Sequence, residues 1–138
     1  MTSKDNQQVN TTRPYKHVLV VDDNPAIVAA VATRLLAVGW ECLTALDGYD
    51  AMALMGKHPV DAVVTDLDMP YVDGFGILER ATTCNHCPAM VITGSMESAK
   101  RCEADFPSVP VLMKPFDSKQ VIAWLETLDA QQGTQSAA

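Results

Sequence analysis

The sequence predicts an α/β domain built on a doubly wound, five-stranded parallel sheet with helices on both faces. Two observations predict it. Five short apolar runs, at 18–21, 40–46, 62–64, 89–93 and 109–113, alternate with five stretches of helical periodicity. Strands covered on both faces read as near-continuous apolar runs of this kind, and their alternation with helices calls for a parallel sheet. The second observation is what ends the runs: Asp22-Asp23, Asp66, Thr93 and Lys114. Open sheets of this class bind ligands outside the carboxyl ends of their strands, so these residues are expected at one edge.

Residues 1–14 are polar and aperiodic and are expected to be a disordered leader, with the domain over 15–130 and a disordered polar tail over 131–138. VLVV (18–21) is the first strand. Asn24-Pro25 opens the first helix, because proline at the first helical position forfeits no hydrogen bond. Ile27, Val28, Val31, Leu35 and Val38 recur at helical spacing, and Gly39 is a natural stop. The second strand runs to Leu46, and Asp47-Gly48 leads into a helix carrying Met52, Leu54 and Met55, which read as core filler. The third strand delivers Asp66 at its tip, followed by Asp68, Met69-Pro70 and the Asp73-Gly74 turn. Asp73 stands where a cap belongs, next to a helix over 75–82 with Ile77 and Leu78 inward, so Asp66 is the residue left for chemistry. After AMVIT (89–93), the helix MESAKRCEAD (96–105) has a thin apolar face. The fifth strand ends at Lys114-Pro115. Asp117-Ser118-Lys119-Gln120 resembles a capping box and opens the last helix, with Val121, Trp124, Leu125 and Leu128 on one face.

At 138 residues the chain is long enough for one domain with a core of its own. Its net charge of −7, without a Lys/Arg cluster, excludes nucleic acid and anionic membrane as partners. The polar start is no signal peptide and no apolar run approaches membrane-spanning length, so a cytoplasmic location is expected. Cys42 and Cys102 fall in a strand-like and a helical run and read as small apolar residues. Cys84-Asn85-His86-Cys87 is a single CxxC with an intervening histidine. A zinc site wants four ligands, and a redox CxxC opens a helix rather than closing one, so these are expected to be loop thiols.

Three carboxylates at one edge repel one another and need a cation. Hard oxygen donors suit Mg²⁺, which keeps several waters and leaves room for a phosphate oxygen. The Thr93 hydroxyl and the Lys114 ammonium could hold the remaining phosphate oxygens. The set suits phosphoryl transfer onto Asp66 as a carboxylate nucleophile. In its motifs Val20-Val21-Asp22-Asp23-Asn24-Pro25, Asp66-Leu67-Asp68-Met69-Pro70-Tyr71-Val72-Asp73-Gly74, Val91-Ile92-Thr93-Gly94 and Lys114-Pro115-Phe116, the chain resembles the receiver domain of two-component response regulators, the single-domain chemotaxis-regulator type among them. The resemblance runs from Lys16 to about Leu128. It implies a flavodoxin-like sheet of strand order 2-1-3-4-5 and Asp66 as phosphoacceptor. Asp23, Asp66 and the backbone carbonyl of Asp68 would bind Mg²⁺ directly and Asp22 through water. Thr93 would respond to the phosphoryl group and Lys114 would pair with it, before a cis Lys114-Pro115 bond. The implied donor is a phosphohistidine on a sensor histidine kinase or a histidine phosphotransfer protein, and the only reaction is the domain's own phosphorylation and hydrolysis. With no second domain after Leu128, output is expected through a protein target or by passing the phosphoryl group onward.

Departures from the pattern matter too. Val111 stands where many such domains carry a switch aromatic, Asp105 to Pro110 replaces a small turn, and Asp68 is acidic where the family varies. The acidic side chain of Asp68 is expected to alter the lifetime of the acyl phosphate. Two other readings compete. A phosphorylation-independent binding module would be expected had Asp22-Asp23, Asp66 or Lys114 been lost, and all are present. A phosphohydrolase of the haloacid dehalogenase type would use Asp66-Leu67-Asp68 as its DxD with Asp68 as general acid. That family, however, places its DxD on the first strand and its acidic pair last, the reverse of this order.

Overall fold

The computed structural model describes residues 17–69, 73–84 and 86–137; the expected leader and the Pro70-Tyr71-Val72 part of the second motif lie outside them. In chain order the elements are β1 (His17–Val21), α1 (Pro25–Ala37), β2 (Glu41–Ala45), α2 (Gly48–Lys57), β3 (Ala62–Asp66), α3 (Gly74–Glu79) continued by a π turn (Arg80–Cys84), β4 (Ala89–Thr93), α4 (Met96–Asp105), β5 (Val111–Met113) and α5 (Ser118–Ala137). All neighbouring strands pair in parallel, in the order β2-β1-β3-β4-β5. The α/β class and the strand order are as the sequence led one to expect.

Strand pleating sorts the core into two layers. Successive side chains point to opposite faces of a strand. Val18 and Val20 therefore join Val31, Leu35, Trp40, Val64, Ile92, Val121 and Leu125 under α1 and α5. Leu19 and Val21 join Met55, Val63, Leu67, Ile77, Leu78, Val91 and Cys102 under α2, α3 and α4. Each such aliphatic side chain, fully buried, contributes roughly 1.5–3 kcal/mol relative to leaving it in water. Among the described residues no helix is long and apolar enough to cross a membrane.

The helix starts follow their caps. Asn24 accepts from the Ala26 N–H at 2.9 Å, Asp47 from Asp50 at 2.8 Å and Asp73 from Gly76 at 3.2 Å, which satisfies donors that a helix start leaves open. The box at Asp117 is closed from both sides: Lys119 N–H donates to its carboxylate (2.9 Å), and its own N–H donates to Gln120 Oε1 (3.2 Å). Gly39, at φ 99°, takes the left-handed turn after α1.

Several boundaries differ from expectation. Val38 is the C-cap of α1 and is exposed rather than inward, because the helix ends at Ala37. Strand β5 begins at Val111, not Val109, whose N–H turns back to the Phe106 carbonyl at 3.0 Å. Helix α5 runs to Ala137 where a disordered tail was expected from residue 131; glutamine is a sound helix former, and a lone glycine at 133 weakens a helix by about 1 kcal/mol without stopping it as proline would.

Candidate functional site

The parallel register builds the site. Val21 of β1 pairs with Thr65 of β3, so Asp22 leaves its strand beside Asp66. Asp66 pairs with Ile92 and places Thr93 one step beyond, and Thr93 in turn pairs with Met113 and places Lys114 next. Two backbone bonds fix the edge: Lys114 N–H donates to the Thr93 carbonyl at 2.9 Å, and Asp22 N–H to the Ala45 carbonyl at 3.2 Å. The peptide bond between Lys114 and Pro115 is cis.

Of the candidate side chains, Asp22, Asp66 and Thr93 lie buried, at 1%, 3% and 0% exposure, while Asp23 is exposed. A carboxylate oxygen from each of Asp22, Asp23 and Asp66 falls within 4.8 Å of the others. Lys114 Nζ bridges two of them, 3.0 Å from Asp22 Oδ2 and 3.3 Å from Asp66 Oδ2. The second oxygen of Asp66 accepts from the Asp68 N–H at 3.2 Å, and Asp22 Oδ1 accepts from the Asn24 N–H at 2.9 Å.

Gly74 explains why the loop after Asp66 can close. A Cβ at this position would stand 2.0 Å from the Asp66 carbonyl oxygen and 2.6 Å from Leu67 Cα. Only a glycine lets the start of α3 lie against the backbone that carries the carboxylate, and its N–H donates to the Leu67 carbonyl at 3.2 Å.

Burial pushes the Asp66 carboxyl above the ordinary aspartate range; the Asp68 N–H works against this, the charge of Asp22 adds to it and Lys114 opposes it. Burial also works against the Lys114 ammonium, but Asp22 and Asp66 beside it more than offset that and hold its pKa above the ordinary lysine value. The site thus contains more buried negative charge than one ammonium compensates. Asp22 Oδ2 has no partner of good hydrogen-bond geometry, its 3.0 Å approach to Lys114 being one of charge. Three carboxylates drawn together and answered by a single ammonium form a donor set that fits a hard divalent cation such as Mg²⁺.

Of the residues predicted from sequence, Asp22, Asp23 and Asp66 are brought within reach of one another, and Lys114 within reach of Asp22 and Asp66. Thr93 stands in the same row, but its hydroxyl donates to Asp68 Oδ2 at 2.8 Å and accepts from the Ser95 N–H at 3.1 Å. The other Asp68 oxygen accepts from Ser98 Oγ at 2.7 Å. Ser98 carries no sequence signal for this contact: it is 30 residues from Asp68 and reads only as a polar position early in α4.

The CxxC lies before the amino end of β4, away from this edge. Cys87 N–H closes on the Ala81 carbonyl at 2.9 Å, His86 adopts φ 52°, and the Cys87 side chain is buried in the core layer under α2 and α3. The motif therefore ends a helix. Burial, with the charge of Asp61 adding to it, pushes the Cys87 thiol up to about 11, and burial does the same for Cys42.

The chain is similar to known proteins. The profile of the response regulator receiver domain matches residues 18–126. A probable transcriptional regulator, ycf27 of Cyanophora paradoxa, is 31% identical over 114 residues, 82% of this chain and 48% of that protein. The sensor histidine kinase RcsC of Salmonella typhimurium is 40% identical over 63 residues, 46% of this chain and 7% of that protein. Among solved structures, the receiver domain of the Francisella response regulator 1452 superposes with a TM-score of 0.75 at 25% identity, covering 85% of this chain and 98% of that one. The chain spans about half the length of the curated ycf27 regulators it matches. With its strand order, its acidic edge and these matches, the chain belongs to the response regulator receiver domain family of two-component systems.

Proposed function

We propose that Asp66 is the phosphoacceptor of this receiver domain and that the donor is a phosphohistidine on a sensor histidine kinase or a histidine phosphotransfer protein. One observation carries the reading: a buried carboxylate at a strand tip, within 4.8 Å of two further carboxylates and 3.3 Å from a lysine ammonium. An Asp66 oxygen attacks the phosphorus of the phosphohistidine, the P–N bond breaks as the P–O bond forms, and the imidazole nitrogen retains the electron pair. Lys114 pairs with a phosphoryl oxygen, and Thr93 can donate its hydroxyl to another. Asp23, Asp66 and the Asp68 backbone carbonyl would hold Mg²⁺ directly and Asp22 through water; when bound, the ion neutralises the carboxylates against the incoming phosphoryl charge. Water attacking the acyl phosphate returns the free carboxylate, so the domain acts on itself and is no enzyme towards other substrates. The reading places it in the cytoplasm, where such kinases draw on ATP, with output through a protein target or onward transfer of the phosphoryl group.

Intact mass after incubation with Mg²⁺ and acetyl phosphate tests this. The expected result is a Mg²⁺-dependent gain of one phosphoryl group that is absent in Asp66→Ala. A gain retained in Asp66→Ala, or none in the wild type with acetyl phosphate, phosphoramidate or a phosphorylated histidine donor, would refute it.

A further inference from the structure

The Asp68 carboxylate ties β4 to α4. One of its oxygens accepts from Thr93 at the tip of β4, at 2.8 Å, and the other from Ser98 in the first turn of α4, at 2.7 Å. The same turn is capped by Ser95, whose Oγ accepts from the Ser98 N–H at 3.1 Å and whose N–H donates to Thr93 Oγ1 at 3.1 Å. The amino end of a helix also favours a negative charge placed there. Both oxygens of Asp68 are therefore fixed by hydroxyl donors, one from each element.

A hydroxyl has a single proton to donate. While Thr93 gives it to Asp68, it cannot give it to a phosphoryl oxygen on Asp66. A phosphoryl group would also add about two negative charges close to Asp68, whose N–H already binds Asp66 Oδ1 at 3.2 Å. We propose that Ser98 is a positioning residue: by anchoring Asp68 it holds Thr93 in the unphosphorylated arrangement, and phosphorylation must break this latch before Thr93 can turn to the phosphoryl group. The inference rests on Asp66 being the phosphoacceptor. It gives the switch a path into α4 that needs no aromatic side chain at the position of Val111.

The test uses the full chain with Mg²⁺ and beryllofluoride as the phosphoryl mimic. Apparent affinity is read by titration calorimetry, and the Ser95 amide is followed by NMR. Ser98→Ala should bind beryllofluoride roughly 3- to 10-fold more tightly than wild type, the effect of losing one hydrogen bond made only in the unbound state. Ser98→Thr, which keeps the hydroxyl, should return to the wild-type affinity. In a Thr93→Val background Ser98→Ala should change nothing, because the contested proton is gone. Equal affinities for wild type and Ser98→Ala, or tightening that persists in the Thr93→Val background, would overturn the latch. Failure of the wild type to take up beryllofluoride would overturn the phosphoacceptor reading and the latch with it; uptake with unchanged affinity overturns the latch alone.

Discussion

Lys114 Nζ lies 3.3 Å from Asp66 Oδ2 across 48 residues of sequence, and it is the described cation that answers two buried carboxylates at once. Replacing it should expose how much charge the edge stores. Lys114→Ala leaves Asp22 and Asp66 facing each other without a counter-charge, and breaking a fully buried pair costs about 3–5 kcal/mol. The lysine side chain is 25% exposed, so a loss of about 1–3 kcal/mol is expected. Urea titration should show it, and the loss should shrink in Mg²⁺, which restores positive charge to the site.

Asp66 makes stability depend on pH. Its folded pKa is raised above the ordinary value of 3.8 by burial, with Asp22 adding to this and the Asp68 N–H and Lys114 opposing it. A carboxyl with a raised folded pKa favours the fold when protonated and loses that contribution as pH rises through its folded pKa. Asp66→Asn should therefore be more stable than wild type at neutral pH in a chelator. Melting temperature should rise by roughly 2–4 °C for each kcal/mol gained. The gap should close on acidification through the raised pKa, above 3.8. Added Mg²⁺ should stabilise the wild type by a margin set by its concentration relative to Kd, and the variant less.

Gly74→Ala should be among the most damaging small substitutions in the chain. Its methyl would meet backbone at 2.0 Å rather than a flexible side-chain end, and overpacking of that kind costs about 1–3 kcal/mol or more. Because the obstructing atom belongs to Asp66, phosphorylation should fall along with stability. A variant that folds with wild-type urea midpoint and phosphorylates normally would contradict this geometry.

Arg101 sits 3.9 Å over the Phe75 ring, which stacks on Phe106 at 6.5 Å. These contacts supplement the apolar face of α4, whose buried members are Ala99 and Cys102. Arg101→Ala should cost about 0.5–1 kcal/mol. The same change in a Phe75→Leu background should cost less, since the ring is then gone. Amide exchange in α4 should quicken with little change in β1 or β3.

The four thiols should also separate cleanly. Cys84 is exposed, whereas Cys87 and Cys102 are buried and the Cys42 thiol is held protonated by burial. A thiol reagent at neutral pH should modify Cys84 first, with the others following only on unfolding. Zinc uptake by Cys84 and Cys87 together would contradict their reading as a helix terminus.

Much of this molecule was legible in the chain. The β-branched runs ending in Asp22-Asp23, Asp66, Thr93 and Lys114 specify strands and their tips, because burial on both faces demands apolar residues and leaves the polar ones to the edge. Caps such as Asn24, Asp47, Asp73 and Asp117 are equally local, since each satisfies donors two or three residues away. Boundaries such as the exposed Val38 and the helical run past residue 131 were less legible, because tertiary packing and weak propensities decide where a helix stops. The hydrogen bonds of Asp68 to Thr93 and Ser98 were not legible at all. They depend on where three elements meet in space and on which of several acceptors one hydroxyl proton finds, and no spacing in the sequence encodes that choice. The sequence by itself determined the family, the sheet and the identity of the acidic edge; the tertiary structure alone decided that Thr93 is held by Asp68, since side-chain partners distant in sequence are selected only once the backbone has brought them within reach.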